Sequence, residues 1–197
     1  MAIRKFQDPT VLSRWATAAL WAYIAARTLL ALRLLVVRPG ASPIELFNFV
    51  YWVSFALCPL LILPWIYRTN ANAHLFAPGM TISPGWAVGW FFIPIANLVM
   101  PFRGVDETWR ASQQAAGRPD QARSTLVRWW WGLWLANNFA TNTAIITEAD
   151  TSYAGPLAHF FNLVAAALGI AGSILLIQLM SRLNQAQLIA SRGSVFA

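Results

Sequence analysis

The stretch SPGWAVGWFFIPIANLVMPF, Ser83–Phe102, decides how this chain is organised. It is as apolar as a membrane-spanning helix, yet Pro84 and Pro101 stand near its two ends and Pro94 interrupts its middle. An internal proline removes a backbone donor and clashes with the preceding turn, so one straight helix is not expected here. Ser83 is a favourable N-cap and Pro84 suits the first helical position, which predicts that a helix begins at this point.

Four long apolar segments surround this stretch, at about residues 11–37, 43–67, 125–147 and 156–180. Each is long enough for a transmembrane helix, which needs about 20 residues. Residues 68–80 read as a polar loop. Residues 103–116 carry oppositely charged pairs spaced i,i+4, which predicts a short helix on the cytoplasmic membrane surface. We therefore predict one all-α membrane domain over residues 1–197.

The composition is typical of an integral membrane protein. Hydrophobic residues make up 58% of the 197 residues and charged residues only 11%, whereas a soluble domain has about 25% charged residues. The single cysteine, Cys58, excludes a disulfide within the chain. The net charge of +7 is spread over the segments between apolar runs, so membrane topology explains it better than nucleic-acid binding.

Positive charge near the ends of the apolar segments distinguishes two topologies, because cytoplasmic loops are enriched in Lys and Arg. If residues 83–102 enter the membrane and return, eleven basic residues fall on the side of the N-terminus and two, Arg33 and Arg38, on the other. If residues 83–102 cross, the division is nine to four. The larger bias predicts four transmembrane helices plus one membrane-embedded broken or re-entrant helix, with both termini cytoplasmic. Five spans are the alternative.

Several motifs resemble those of one bacterial family. They are WIYRTNAN at 65–72, SPGWAVGWFFIPIAN at 83–97, PF at 101–102 and ETWRAS at 107–112. On these motifs the chain resembles a multi-pass membrane family built on a domain of unknown function (DUF4328). The resemblance covers nearly the whole chain and implies no activity or cofactor. One position departs from the family pattern, because Ala71 stands where members usually have a second arginine before Asn72.

The resemblance is concentrated in residues 83–97, which we therefore expect to be the defining structural piece of the family. Asn97 follows Pro94 in what should be irregular backbone, and it is the first residue there to test. The candidate family-motif residues are Arg68, Asn72, Pro84, Gly85, Trp86, Trp90, Pro94, Asn97, Pro101, Glu107 and Trp109.

Polar residues inside the apolar segments are the candidates for a binding site. Their positions along the four predicted spans group Arg27, Asn138, Asn142 and Asn162 toward the outer face. A charged side chain costs at least about 2.5–3.5 kcal/mol at the bilayer centre, so Arg27 should face protein or water. The pattern predicts either a polar cavity that takes an anionic headgroup or solute, or hydrogen bonds between helices alone.

Small residues recur every four positions in two segments. They are Gly85 and Gly89 in the opening stretch, and Ala165, Gly169 and Ser173 in the last apolar segment. Such faces let helices approach closely. We expect them to pack within the chain, and a surface for a partner subunit is the alternative.

No enzyme motif is present: the sequence lacks His-Glu-x-x-His, a glycine-rich phosphate loop with Lys, and Gly-x-Ser-x-Gly. We therefore predict no catalytic residue, metal ligand or cofactor. The expected function is that of an accessory or scaffold subunit that contacts the lipid bilayer and other membrane-protein subunits in the bacterial cytoplasmic (inner) membrane. The alternative is a small-solute or lipid-binding or transport protein with a polar cavity around Arg27, Asn138 and Asn142.

Overall fold

A computed structural model describes residues 5–36, 45–122, 125–149 and 155–193 of the chain. All the regular elements in these ranges are helical, which confirms the predicted all-α class. Arg38 and the predicted segment ends at residues 37 and 43 lie outside the described residues. The six α-helices are α1 (Thr10–Val36), α2 (Glu45–Phe76), α3 (Pro84–Gly89), α4 (Met100–Ala115), α5 (Thr125–Ala149) and α6 (Pro156–Gly193).

The described residues form two compact units. Unit 1 lies within Met1–Thr17, Pro59–Arg128 and Ile177–Ala197, and unit 2 comprises Ala18–Cys58 and Trp129–Leu176. Unit 1 therefore contains α3, α4, the start of α1 and the C-terminal parts of α2 and α6. Unit 2 contains the rest of α1, the first part of α2, most of α5 and the first part of α6.

Three of the described helices are long and apolar enough to cross a membrane, over Thr10–Arg33, Asn48–Phe76 and Pro156–Arg192. The prediction of four spanning helices plus a re-entrant one is therefore wrong, and so is the five-span alternative. Helix α5 has sufficient length, but its composition does not qualify. Tryptophan, asparagine and threonine lower its hydropathy, at Trp129–Trp131, Trp134, Asn137, Asn138, Thr141, Asn142 and Thr143.

The stretch Ser83–Phe102 is a broken helix. Helix α3 begins at Pro84 with Ser83 as an extended N-cap, as predicted. Short 3-10 turns follow at Trp90–Phe92 and Ala96–Leu98, on either side of Pro94. The proline interrupts the helix as predicted, and each helical piece is far too short to cross a bilayer.

Two polar regions of the sequence are helical and contribute buried side chains to unit 1. Helix α2 continues through residues 68–76, so the predicted polar loop over these residues is wrong. Helix α4 matches the helix predicted at 103–116, with Thr108, Trp109 and Ser112 buried on one side and Arg103 and Arg110 exposed. Its position on a membrane surface stays a prediction. Several of the buried polar side chains bond to groups elsewhere in unit 1, as described below.

Small residues support close packing in unit 2 but not in α3. Ala165 and Ser173 are buried, and the Ser173 hydroxyl donates to the Gly169 carbonyl at 2.8 Å. A Cβ added at Gly169 would lie 2.9 Å from the Tyr23 hydroxyl oxygen and 3.0 Å from the Asn137 amide oxygen. By contrast, a Cβ at Gly85 meets nothing within 4 Å, and one at Gly89 meets only the ring of Trp86. The expected packing of α3 through these two glycines is therefore wrong.

We predict that Gly169→Ala destabilises the protein by about 1–3 kcal/mol, because the new methyl group overpacks against two oxygen atoms. Gly172→Ala on the same helix is the matched control. Its Cβ would make an ordinary 3.6 Å contact with Leu133, so helix propensity should raise stability by up to about 1 kcal/mol. Thermal unfolding of the two variants in mild detergent measures the difference, and equal melting temperatures would contradict the close packing.

Candidate functional site

The interior of unit 1 contains a network of amide, hydroxyl and indole groups, here called the amide network. Its hub is Asn72 on α2, whose amide oxygen accepts the backbone N–H of Gln7 at 3.0 Å. The Asn72 amide nitrogen donates to the Gln7 carbonyl at 2.7 Å and to the Gln187 side-chain oxygen at 3.0 Å. The members of the network are Gln7, Ser13, Trp65, Thr69, Asn72, Ser112, Asn184 and Gln187.

Gln187 extends the network from α6 to α2 and α4. Its amide nitrogen donates to the Thr69 carbonyl at 2.7 Å and to the Ser112 hydroxyl oxygen at 3.1 Å. The side chain is fully buried, with 0% of its surface exposed. Since its oxygen also accepts from Asn72, one glutamine fixes the register of three helices.

Asn184 brings α1 into the same network. The Trp65 indole N–H donates to the Asn184 side-chain oxygen at 3.0 Å, and the Asn184 amide nitrogen donates to the Ser13 hydroxyl oxygen at 2.6 Å. Four helices that are distant in sequence are thus joined by neutral groups. None of these groups titrates near neutral pH, so the network should hold its geometry across physiological pH.

Two further amides of unit 1 are buried but incompletely bonded. The Asn70 amide nitrogen donates to the Thr108 hydroxyl oxygen at 3.0 Å, whereas its oxygen has no partner among the described residues. Gln113 on α4 is 1% exposed, and neither polar atom of its side chain has a partner there. A buried polar group without a partner costs about 1–3 kcal/mol, so Gln113 destabilises the interior that Gln187 stabilises.

Glu107 fastens α4 to the connection that precedes α3. Its carboxylate accepts the backbone N–H of Thr81 at 2.6 Å, the Thr81 hydroxyl at 3.0 Å and the backbone N–H of Ile82 at 3.0 Å. The His74 ring nitrogen Nε2 lies 3.0 Å from the Ile82 carbonyl, which fixes the same connection to α2. The oppositely charged i,i+4 pairs expected within residues 103–116 are Arg103–Glu107 and Asp106–Arg110. The structure has the Asp106–Arg110 ion pair, whereas Glu107 binds Thr81 and Ile82.

A groove of about 580 Å³ runs along the exposed side of α4 in unit 1. Arg103, Arg110, Glu107 and Thr81 are among the residues that line it, and both arginines are exposed. Its two acidic groups are already engaged, because Asp106 pairs with Arg110 and Glu107 binds backbone. Within the described ranges, no three His, Cys, Asp or Glu side chains are arranged to hold a metal ion.

Other residues of the family motif also serve the framework of unit 1. The Arg68 guanidinium donates to the Asp8 carbonyl at 3.1 Å, and the Trp109 indole N–H donates to the Gln121 carbonyl at 2.9 Å. The backbone N–H of Thr10 donates to the Asp8 carboxylate, which lowers the pKa of this carboxyl below its usual value. These bonds fix the start of α1 and the turn after α4.

The central part of the motif is exposed rather than buried. The rings of Trp86 and Trp90 stack with centroids 4.5 Å apart. Pro94 is exposed, and the nearby Asn97 backbone N–H donates to the Ile93 carbonyl at 2.7 Å. The Asn97 side-chain oxygen is buried without a partner among the described residues. Pro84 and Pro101, at the two ends, are buried.

In unit 2, the asparagines predicted to line a cavity bond mainly to their own helices. The Asn138 and Asn142 amide nitrogens donate to the carbonyls of Trp134 and Asn138, at 2.7 and 2.8 Å. Asn162 donates to the Glu148 carboxylate at 2.7 Å. Of the residues predicted to line the cavity, Asn138 and Asn142 are therefore linked to each other, by the bond from the Asn142 amide to the Asn138 backbone carbonyl.

Arg27 has different partners from those predicted. Its guanidinium donates to the Tyr51 hydroxyl oxygen at 3.2 Å and lies 5.3 Å from the centre of that ring. The ring of Tyr23, one turn before Arg27, lies 5.7 Å from the ring of Tyr51. A Cβ added at Gly169 would meet both Tyr23 and Asn137, so the asparagine of α5 that lies near this residue is Asn137. The sequence holds no local signal for the bond from Arg27 to Tyr51, because the two residues lie on different helices.

Over its described residues, the protein is all-helical, with three potential membrane spans and a buried amide network at the ends of its helices. The chain belongs to the family described as Domain of unknown function (DUF4328), whose family model matches residues 41–185. This match confirms the family resemblance. No curated protein and no solved structure matches the chain.

We predict that Gln187→Met lowers the stability by about 2–3 kcal/mol, because it removes three hydrogen bonds between helices and leaves buried partners unpaired. Gln113→Met is the matched control, since both residues are buried glutamines on helices. Removing an amide without partners should leave stability unchanged or raise it by about 1 kcal/mol. Thermal unfolding by circular dichroism in mild detergent measures both. An equal loss in the two variants would mean that the Gln187 bonds contribute nothing specific.

Proposed function

We propose that the protein is a multi-pass membrane protein that acts as an accessory or scaffold subunit for other membrane proteins. One observation carries this proposal. The broken segment, residues 84–99, exposes bulky apolar side chains, with Phe92 72% exposed and Ile95 85% exposed. The others with substantial exposure are Trp86, Ile93, Leu98 and Val99. Contiguous apolar surface of this kind is typical of interaction sites.

The backbone of the broken segment favours protein over lipid as its cover. Between Trp90 and Val99 the hydrogen bonds are isolated turn bonds, such as Leu98 N–H to the Ile95 carbonyl at 3.2 Å. Lipid-exposed irregular backbone does not occur in the hydrocarbon region, because unpaired backbone groups cost several kcal/mol there. A partner protein can offer both apolar side chains and hydrogen-bonding groups to such a segment.

The broken segment is also held firmly enough to act as a binding surface. Helix α3 packs against α4, because a Cβ added at Gly104 would make an ordinary van der Waals contact, 3.6 Å, with the Cα of Ala87. The three bonds of Glu107 to Thr81 and Ile82 fix the chain just before α3. A surface that is already ordered loses little conformational entropy when a partner binds.

We expect a photo-crosslinking residue at position 95 to form a discrete adduct with a second membrane protein in intact cells. The matched control is position 60, because Leu60 is 67% exposed within a potential membrane span. Position 60 should give lipid adducts.

A second experiment places the crosslinking residue at position 92 and changes Ile95 to Asp. This substitution should abolish the protein adduct without lowering the melting temperature, since the side chain at position 95 is on the surface.

Two results would contradict the scaffold function. One is that position 95 yields the same lipid adducts as position 60. The other is that the protein purifies from mild detergent as a lone monomer although its broken segment is intact.

We also propose that the protein lies in the bacterial cytoplasmic membrane with both ends of the chain on the cytoplasmic side. The hydrogen bond between Asn184 on α6 and Ser13 on α1 supports this arrangement, because it joins the N-terminal end of α1 to the C-terminal part of α6. Three crossings would place the two ends on opposite sides, so this proposal requires an even number of crossings, one more or one fewer than the three potential spans. Fluorescent-protein fusions to each end should both fluoresce, whereas alkaline phosphatase fusions should both be inactive. Opposite behaviour of the two ends would refute the proposal.

The solute- or lipid-binding alternative is favoured by one observation in unit 2. Arg27 lies within a potential span, and its recorded partner is the neutral hydroxyl of Tyr51. The asparagines first associated with it, Asn138 and Asn142, use their amide nitrogens on their own helix. The proposal of solute or lipid binding therefore depends on Arg27, Tyr23 and Tyr51.

A further inference from the structure

Arg27 carries a positive charge that the described part of unit 2 does not neutralise. Its guanidinium donates to Tyr51 at 3.2 Å, and among the carboxylates whose side chains the structure describes, which do not include Glu45, none forms an ion pair with it. The Arg27 Nε is buried and has no hydrogen-bond partner there. A guanidinium has five N–H donors, so one bond to a hydroxyl leaves most of its capacity unused.

Arg27 and Tyr51 lie within the potential membrane spans of α1 and α2. A charged side chain within a span is costly unless it meets protein, water or a lipid headgroup. The long side chain of arginine can extend along apolar surface toward the bilayer interface, and tyrosine is enriched at that interface.

The surroundings of Tyr51 add the aromatic surface typical of a bilayer interface. Its ring contacts those of Trp52 and Phe55, with centroids 5.3 and 6.0 Å away. Trp52 and Phe55 are both exposed. Aromatic residues of this kind are enriched at headgroup level, so a lipid could reach the guanidinium of Arg27 from this side.

We propose that Arg27 and Tyr51 form a site for the phosphate group of an anionic lipid headgroup. The guanidinium supplies charge and paired N–H donors, which suit phosphate oxygens. The Tyr51 hydroxyl accepts from Arg27 and can donate its own proton to a phosphate oxygen. Tyr23 supports the ring of Tyr51 from α1. The site rests on the membrane location proposed above, but not on the scaffold function.

Native mass spectrometry of the full chain tests the site, with phosphatidylglycerol and phosphatidylcholine titrated into the detergent-purified protein. We expect phosphatidylglycerol to be retained preferentially, and Arg27→Gln to weaken this retention about fivefold. Arg14→Gln is the matched control, because it removes an exposed charge from the first turns of the same helix. Tyr51→Phe keeps the aromatic ring and should also weaken retention, which tests the site even if the Arg27 variant does not fold.

The source of the phosphate group is distinguished by adding inorganic phosphate in place of lipid. Binding of inorganic phosphate that depends on Arg27 would support the site with a soluble ligand, whereas binding of phosphatidylglycerol alone supports the lipid source. Equal weakening by Arg27→Gln and Arg14→Gln would overturn the proposal, and so would equal retention of the two lipids. Membrane fractionation tests the location separately, because lipid retention in detergent is measured whether or not the chain sediments with membranes.

Discussion

The structure of unit 1 depends on the requirement that a buried amide must find its hydrogen-bond partners within the protein. Asn72, Asn184 and Gln187 meet this requirement with groups from other helices and, for Asn72, also with the backbone of Gln7 just before α1. Moving any one helix along its axis by a single residue, about 1.5 Å, would break several of these bonds together. Apolar contacts tolerate such a shift much better, because they are not directional. The amides therefore specify how the helices align.

The same requirement explains which parts of the fold could be predicted from the sequence. Proline at position 94 and the Ser83–Pro84 helix start act through local backbone chemistry, and both were predicted correctly. The polar run at residues 68–76 was predicted to be a loop, because polarity alone does not distinguish a side chain in water from one bonded inside a protein. Thr69 and Asn72, spaced i,i+3 on α2, were the available signal that one face is buried.

The membrane topology was mispredicted because length was given more weight than composition. Helix α5 is 25 residues long, enough to cross a bilayer, but its tryptophan, asparagine and threonine residues reduce the gain from entering lipid. The count of basic residues on the two sides of the membrane assumed that α5 crosses, so the predicted topology was wrong for the same reason. The site around Arg27 was incompletely predicted for another reason. Whether Asn137 or Asn138 faces the neighbouring helices depends on the rotation of α5 about its axis, and the sequence pattern of one helix does not determine that rotation.

The broken segment and Arg27 pose opposite problems for a helical membrane protein. Residues 84–99 combine apolar side chains with irregular backbone, so lipid satisfies the side chains while leaving the backbone unpaired. Arg27 has regular helical backbone but a charged side chain, so its backbone is satisfied in lipid while its charge is not. A protein partner suits the first and a headgroup phosphate suits the second. Because the broken segment lies in unit 1 and Arg27 in unit 2, a substitution that removes one interaction leaves the residues of the other unchanged.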